Sequence, residues 1–137
     1  MIKERTGVEI IQLETVTPYG EDYEAVVDQA KKDAKTGFKP LIQPMKSPLD
    51  EVDTIILGTP VWWYTMAPAV LTFISETDLR GKRIIPFATN AGWLGHTFQD
   101  IKKYCPESEV VNEMSIEFLE DTLKTTMKDL EKWIKSI

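Results

Sequence analysis

Residues 53–58 (Asp-Thr-Ile-Ile-Leu-Gly) and 83–88 (Arg-Ile-Ile-Pro-Phe-Ala) are two short, almost continuously apolar runs. Runs of this kind predict strands covered on both faces, as in a parallel sheet held between layers of helices. Residues 8–13 (Val-Glu-Ile-Ile-Gln-Leu) are also rich in β-formers and follow Gly7, so they read as a further strand, with residues 1–6 as the last turn of a helix that Gly7 ends. Asp22 is a candidate N-cap for a helix over residues 23–35, with Val26, Val27, Ala30 and Ala34 as its narrow apolar stripe and Gly37 as its stop. Residues 39–49 hold three prolines and no periodicity, and read as a connecting loop. A helix is expected over residues 67–76, where Pro68 falls in the first turn and Val70, Leu71, Phe73 and Ile74 face the core. Another is expected over residues 97–104, ended by Pro106, and a last, less apolar strand over residues 109–116. Leu119, Leu123, Met127, Leu130, Ile134 and Ile137 recur at helical spacing and predict one long C-terminal helix.

Four strands alternating with four helices predict an α/β fold, a three-layer, doubly wound parallel sheet, occupying residues 1–137 as one domain. Ligands in such sheets bind beyond the carboxyl ends of the strands.

Composition narrows the function. A chain of 137 residues that is 42% hydrophobic has material for a packed core, and its net charge of −6 argues against nucleic acid or an anionic membrane as a partner. Residues 54–75 are nearly uncharged but are broken by Gly58, Pro60 and Pro68, so they do not read as a spanning helix. The first residues carry charge with no apolar run behind them, so a cytoplasmic location is expected. One cysteine, Cys105, and one histidine, His96, exclude an internal disulfide and a structural zinc site. Cys105 reads as a packing residue, and His96 as a capping or solvent-facing residue with a possible donor role.

Two segments at strand ends carry the chemistry. Residues 58–64 (Gly-Thr-Pro-Val-Trp-Trp-Tyr) place large flat rings where the fold receives ligands, a surface suited to a planar heterocycle. The alternative is that one indole packs under the next helix and the other covers a subunit contact. Residues 89–97 (Thr-Asn-Ala-Gly-Trp-Leu-Gly-His-Thr) combine two glycines, which let backbone approach a ligand, with the start of a helix, whose amides are donors.

Together with Leu-Arg-Gly-Lys-Arg-Ile-Ile-Pro-Phe-Ala-Thr and Asp-Ile-Lys-Lys-Tyr-Cys-Pro, these segments resemble the flavodoxin-like proteins with a Pro-x-Trp-Trp loop, a similarity running from about Thr6 to the C-terminus. The resemblance implies that Thr59, Pro60, Val61, Trp62 and Trp63 flank the isoalloxazine of FMN. It implies that Thr89, Asn90, Ala91, Gly92, Trp93 and Gly95 supply backbone donors to the pyrimidine edge. It implies electron transfer, or reduction of quinone-like small molecules, with a redox partner protein, and no catalytic side chain, because flavin does the redox work itself.

The family pattern opens with a strand, a Thr-Gly-Asn-Thr phosphate loop and a first helix, of which residues 1–6 match only the tail. In the strand order 2-1-3-4-5 the strand without a counterpart is the central one. The chain's Thr-Gly pairs, Thr6-Gly7 and Thr36-Gly37, follow helical patterns. FMN is therefore expected to bind weakly or not at all, and exposed sheet edges lead to the expectation of a homodimer or of a partner chain. The alternative function is an α/β module that acts through association alone.

Overall fold

The structure is a computed structural model that describes residues 1–45 and 48–137. Among the described residues five helices, α1 (Ile2–Thr6), α2 (Tyr23–Thr36), α3 (Pro68–Glu76), α4 (Thr97–Tyr104) and α5 (Met127–Lys135), surround six strands, β1 (Thr54–Trp62), β2 (Thr65–Met66), β3 (Arg83–Asn90), β4 (Glu109–Val110), β5 (Met114–Leu119) and β6 (Thr122–Leu123). The sheet runs β2-β1-β3-β5-β6, with β4 also on β3. Its core, β1-β3-β5, is parallel, and β2 and β6 are short antiparallel additions at the two ends. Helices cover both faces, so the α/β, flavodoxin-like class expected from the chain is the one observed.

Alternation along β3 divides the core. Ile84 packs with Leu57, Val70, Phe73, Ile74 and Ile101 toward α3 and α4. Ile85 packs with Trp133 and Ile134 of α5, against Ile56 and Ile2. Both isoleucines are fully buried, each contributing roughly 1.5–3 kcal/mol through removal from water.

The two buried runs are longer than their apolar signal. β1 continues through Pro60, paired with Thr89, and β3 continues to Asn90. Pro60 is tolerated because of the ladder's phase. The Asp53 carbonyl accepts from Arg83 N–H on β3, so by strand alternation residues 54, 56, 58 and 60 turn their backbone groups to the other edge. The amide that proline lacks would have pointed away from the ladder.

Three expected elements differ. Residues 8–13 form no strand; the nearest pairing is an isolated bridge between Thr15 and Ile42, and Ile10 is 65% exposed. β-propensity is realised only against a partner strand, and among the described residues none pairs with this segment. The strand expected over residues 109–116 splits into β4 and β5 around Asn112, whose positive φ of 56° breaks the ladder. The Asn112 carbonyl accepts from the Trp133 indole and its amide donates to Ser136, so the break anchors α5. The C-terminal helix begins at Met127, not near Leu119. Leu119 and Leu123 sit in the β5–β6 hairpin, and Thr126 caps α5 by accepting from Asp129 N–H at 3.1 Å. Within the loop expected over residues 39–49, residues 46–47 lie outside the described residues.

Candidate functional site

The carboxyl ends of β1 and β3 carry the two aromatic segments. β1 turns back into β2 through Trp63 and Tyr64 alone, since Trp62 already pairs with Thr65. Both turn residues have positive φ, 44° and 68°. Positive φ at both central positions is that of a type I′ two-residue turn, which Asn-Gly ordinarily supplies. Bulky side chains there cost on the order of 1–2 kcal/mol each, strain of the kind that collects at functional sites.

The strain is held by the second segment. The Tyr64 carbonyl accepts from His96 N–H at 2.8 Å. Gly95, at φ 58°, lies so close that a Cβ there would stand 2.2 Å from that same carbonyl oxygen. The rings then meet edge to face: Trp63 with Tyr64 at 5.3 Å between centroids, and Tyr64 with Trp93 at 5.4 Å. All three are open to solvent, at 37%, 40% and 66% exposure for Trp63, Tyr64 and Trp93. Lys31 of α2 stands over the Trp63 ring at 5.2 Å.

The two tryptophans therefore diverge. Trp63 is exposed, whereas Trp62 is half-buried, edge-on to Tyr19 at 4.8 Å. Thr59 is buried: its hydroxyl donates to the Pro60 carbonyl and accepts from Ala67 N–H at the start of α3. That hydroxyl is a staple between β1 and α3. Pro60 is exposed and Val61 half-buried. Thr89 and Asn90 close β3, and Ala91, Gly92 and Gly95 are exposed in the turn beyond it. The Asn90 side chain accepts from Gly92 N–H and donates to Ser115, fixing the turn to β5 and using one of its donors internally.

Tyr64, legible in the sequence as one of the flat rings of this loop but not among the residues the resemblance assigns to the flavin, is the ring that joins Trp63 to Trp93. Sequence reasoning missed the pairing of His96 Nδ1 with Asp100 Oδ2, which takes a second bond from Thr65 at 2.6 Å. Their four-residue separation across the start of α4 was the available signal. Cys105 is buried at the end of α4, and burial pushes its thiol up to about 11, leaving almost no thiolate at neutral pH. No helix of the described residues is long and apolar enough to cross a membrane.

The fold is shared with crystal structures of two candidate flavoproteins, from Bacteroides eggerthii (22% identity, TM-score 0.79) and Bacteroides uniformis (21%, 0.78), and of a flavoprotein in complex with FMN from Lactobacillus acidophilus (17%, 0.73). They match 99%, 98% and 96% of this chain, which in turn covers 85% of each. No curated protein matches the chain. The family model for flavodoxin matches residues 8–137, and on that match the chain belongs to the flavodoxin family.

Proposed function

We propose that this chain is an FMN-binding redox protein of the cytoplasm, passing electrons to a redox partner protein or to a quinone-like small molecule. The observation that carries the reading is the exposed, interlocked row of rings Trp63, Tyr64 and Trp93 at the carboxyl ends of β1 and β3. A planar heterocycle stacks on such rings, and the glycine turn brings backbone close to its edge. The single free thiol, buried and unreactive, suits a reducing compartment.

The donor set fits one part of FMN and not the other. Trp63, Tyr64, Trp93 and the turn over residues 91–95 would hold the ring. For the phosphate, Thr6-Gly7 and Thr36-Gly37 close helices: Gly7 and Gly37 are left-handed caps at φ 70° and 64°, where helices present carbonyls, not donors. Asp22 and Asp100, at the starts of α2 and α4, repel an anion. When bound, flavin supplies the electron chemistry; the chain's residues orient its ring and leave one side open to a partner.

Titration of FMN against its own fluorescence tests this. Saturable quenching is expected, with Trp63→Ala weakening binding about tenfold, the equivalent of about 1.4 kcal/mol for a lost stacking face. Absence of any spectral change at millimolar FMN would overturn the reading.

A second reading, function through association, is favoured by the free edge of β1. Among the described residues β2 meets β1 only at Val61 and Trp62, so the outward backbone groups of Thr54, Ile56 and Gly58 have no partner strand. An apolar strand with an open edge is a pairing template. Light scattering after gel filtration should show self-association at micromolar concentration. Thr54→Lys, at an exposed edge position, should reduce it several-fold without loss of helical signal.

A further inference from the structure

The open edge of β1 is complementary to itself. Residues 53, 55, 57 and 59 turn their backbone groups to β3, whereas Thr54, Ile56 and Gly58 turn theirs outward, where among the described residues no strand meets them. The stretch lacks the devices that ordinarily keep an edge solitary. Its ladder with β3 runs unbroken from Thr54 to Pro60, so it holds no bulge, and β1 carries no charged residue although 28% of the chain is charged. Thr54 and Gly58 are exposed, with Ile56 half-buried between them. The stretch is bounded at both ends. Pro60 has no amide to give, and Val52 has both groups engaged, its N–H with the Leu49 carbonyl and its carbonyl with Lys82 Nζ.

On the reading of association through β1, we propose that the partner is a second copy of this chain, paired antiparallel about a two-fold axis at Ile56. A parallel two-fold fails, because it sets each outward N–H against the same N–H of the other copy. With the axis at Ile56, Thr54 lies opposite the partner's Gly58 and Ile56 opposite the partner's Ile56, and every outward N–H and carbonyl of the three residues finds its complement. Moving the axis to Leu57 sets the Thr54 carbonyl against the ring of the partner's Pro60, and moving it to Ile55 calls on Val52, whose groups are taken. The nearest charge, Asp53, falls opposite the partner's Thr59 and meets no like charge. On the α5 side of the sheet Ile56, packed with Ile85 and Trp133, meets its own copy, and on the other side Ile55 meets the partner's Leu57. The antiparallel sense sends the two ring platforms to opposite ends of the joined sheet, with the two Trp62 residues about 40 Å apart at the usual rise per residue. Pairing therefore leaves both platforms open to a flavin.

Disulfide trapping of the full chain tests the register. Residues directly opposed in a hydrogen-bonded antiparallel pair have Cα atoms about 5.5 Å apart, inside the span of a disulfide. Ile56→Cys should therefore link to its own copy under oxidised glutathione, in most of the chains, at concentrations where light scattering shows the parent to be dimeric. Thr54→Cys, whose two copies stand about 14 Å apart in this register, should link about tenfold less. The parent, with only the buried Cys105, should not link. Hydrogen exchange on the unaltered chain reads the same edge and decides the matter if Ile56→Cys does not fold. The amides of Thr54, Ile56 and Gly58 should slow several-fold as concentration rises through the dimer midpoint, while those of Leu57 and Thr59, already turned to β3, should not change. A dimer in which Ile56→Cys links no better than Thr54→Cys, or in which those three amides keep their monomer rates, would overturn this pairing and leave association through another surface. A chain that stays monomeric at every concentration would overturn both the pairing and the reading it rests on.

Discussion

Gly95→Ala is expected to destabilise the protein by about 3 kcal/mol or more and to lower its melting temperature by roughly 10 °C. Two costs add. The backbone at Gly95 is left-handed, φ 58°, which any Cβ resists by about 1 kcal/mol. The added carbon would also lie 2.2 to 2.6 Å from three backbone atoms of Tyr64, and backbone cannot swing aside as a side-chain end can. Relief requires the two turns to part, which breaks the bond from His96 N–H to the Tyr64 carbonyl and releases the strained hairpin. Gly81→Ala is the comparator: its φ is 74°, yet a Cβ there meets nothing within 4 Å. It should cost only the conformational part, about 1 kcal/mol. Equal losses for the two variants in thermal or denaturant unfolding would show that the turns are not interlocked. A larger loss for Gly95→Ala, with weaker FMN quenching, would tie the ring platform to this one contact.

That contact marks the boundary of what the chain discloses on its own. β1 and β3 were legible because a strand buried on both faces has few sequence solutions, and Ile55-Ile56-Leu57 and Ile84-Ile85 are among them. α3 was legible from Pro68 and the apolar residues behind it. Residues 8–13 carry as strong a local preference, but propensity does not supply a neighbouring strand, and the segment forms none. At the C-terminus, Leu119 and Leu123 fall on a helical period by coincidence, while Glu120 at φ 53° and the Thr126 cap decide the hairpin and the late start of α5. Both signals are local, and here the cap outweighs the spacing.

The site divides in the same way. Glycines and tryptophans in two loops can be read directly, and the parallel register that brings both loops to one end of the sheet follows from the fold class. Which indole faces outward cannot be read, because it depends on the two positive φ values at Trp63 and Tyr64, a conformation that neither side chain favours. The burial of Asp33 on α2 was hidden for a different reason. It stands among Ala30, Ala34 and the lysines of α2, where a carboxylate reads as part of the wet face, and only three-dimensional packing turns it inward.

FMN and riboflavin should bind this chain with affinities within about threefold of each other, even though FMN carries the additional charged group. A phosphate gripped by backbone amides and hydroxyls gains about 1.5–3 kcal/mol per charge-assisted bond, so two such bonds separate the ligands by roughly two to four decades. Here the Thr-Gly pairs are helix C-caps, Asp22 and Asp100 stand at the starts of α2 and α4, and the net charge is −6. The ring contacts are common to both ligands. Raising the salt concentration should, if anything, improve FMN relative to riboflavin, since it screens the repulsion between phosphate and protein. Parallel fluorescence titrations at low and moderate salt measure both quantities at once. An FMN preference of a hundredfold or more, weakening as salt is added, would mean that a cationic or amide-lined phosphate site exists, and would send the search to the free edge of β1, where a further strand could bring one.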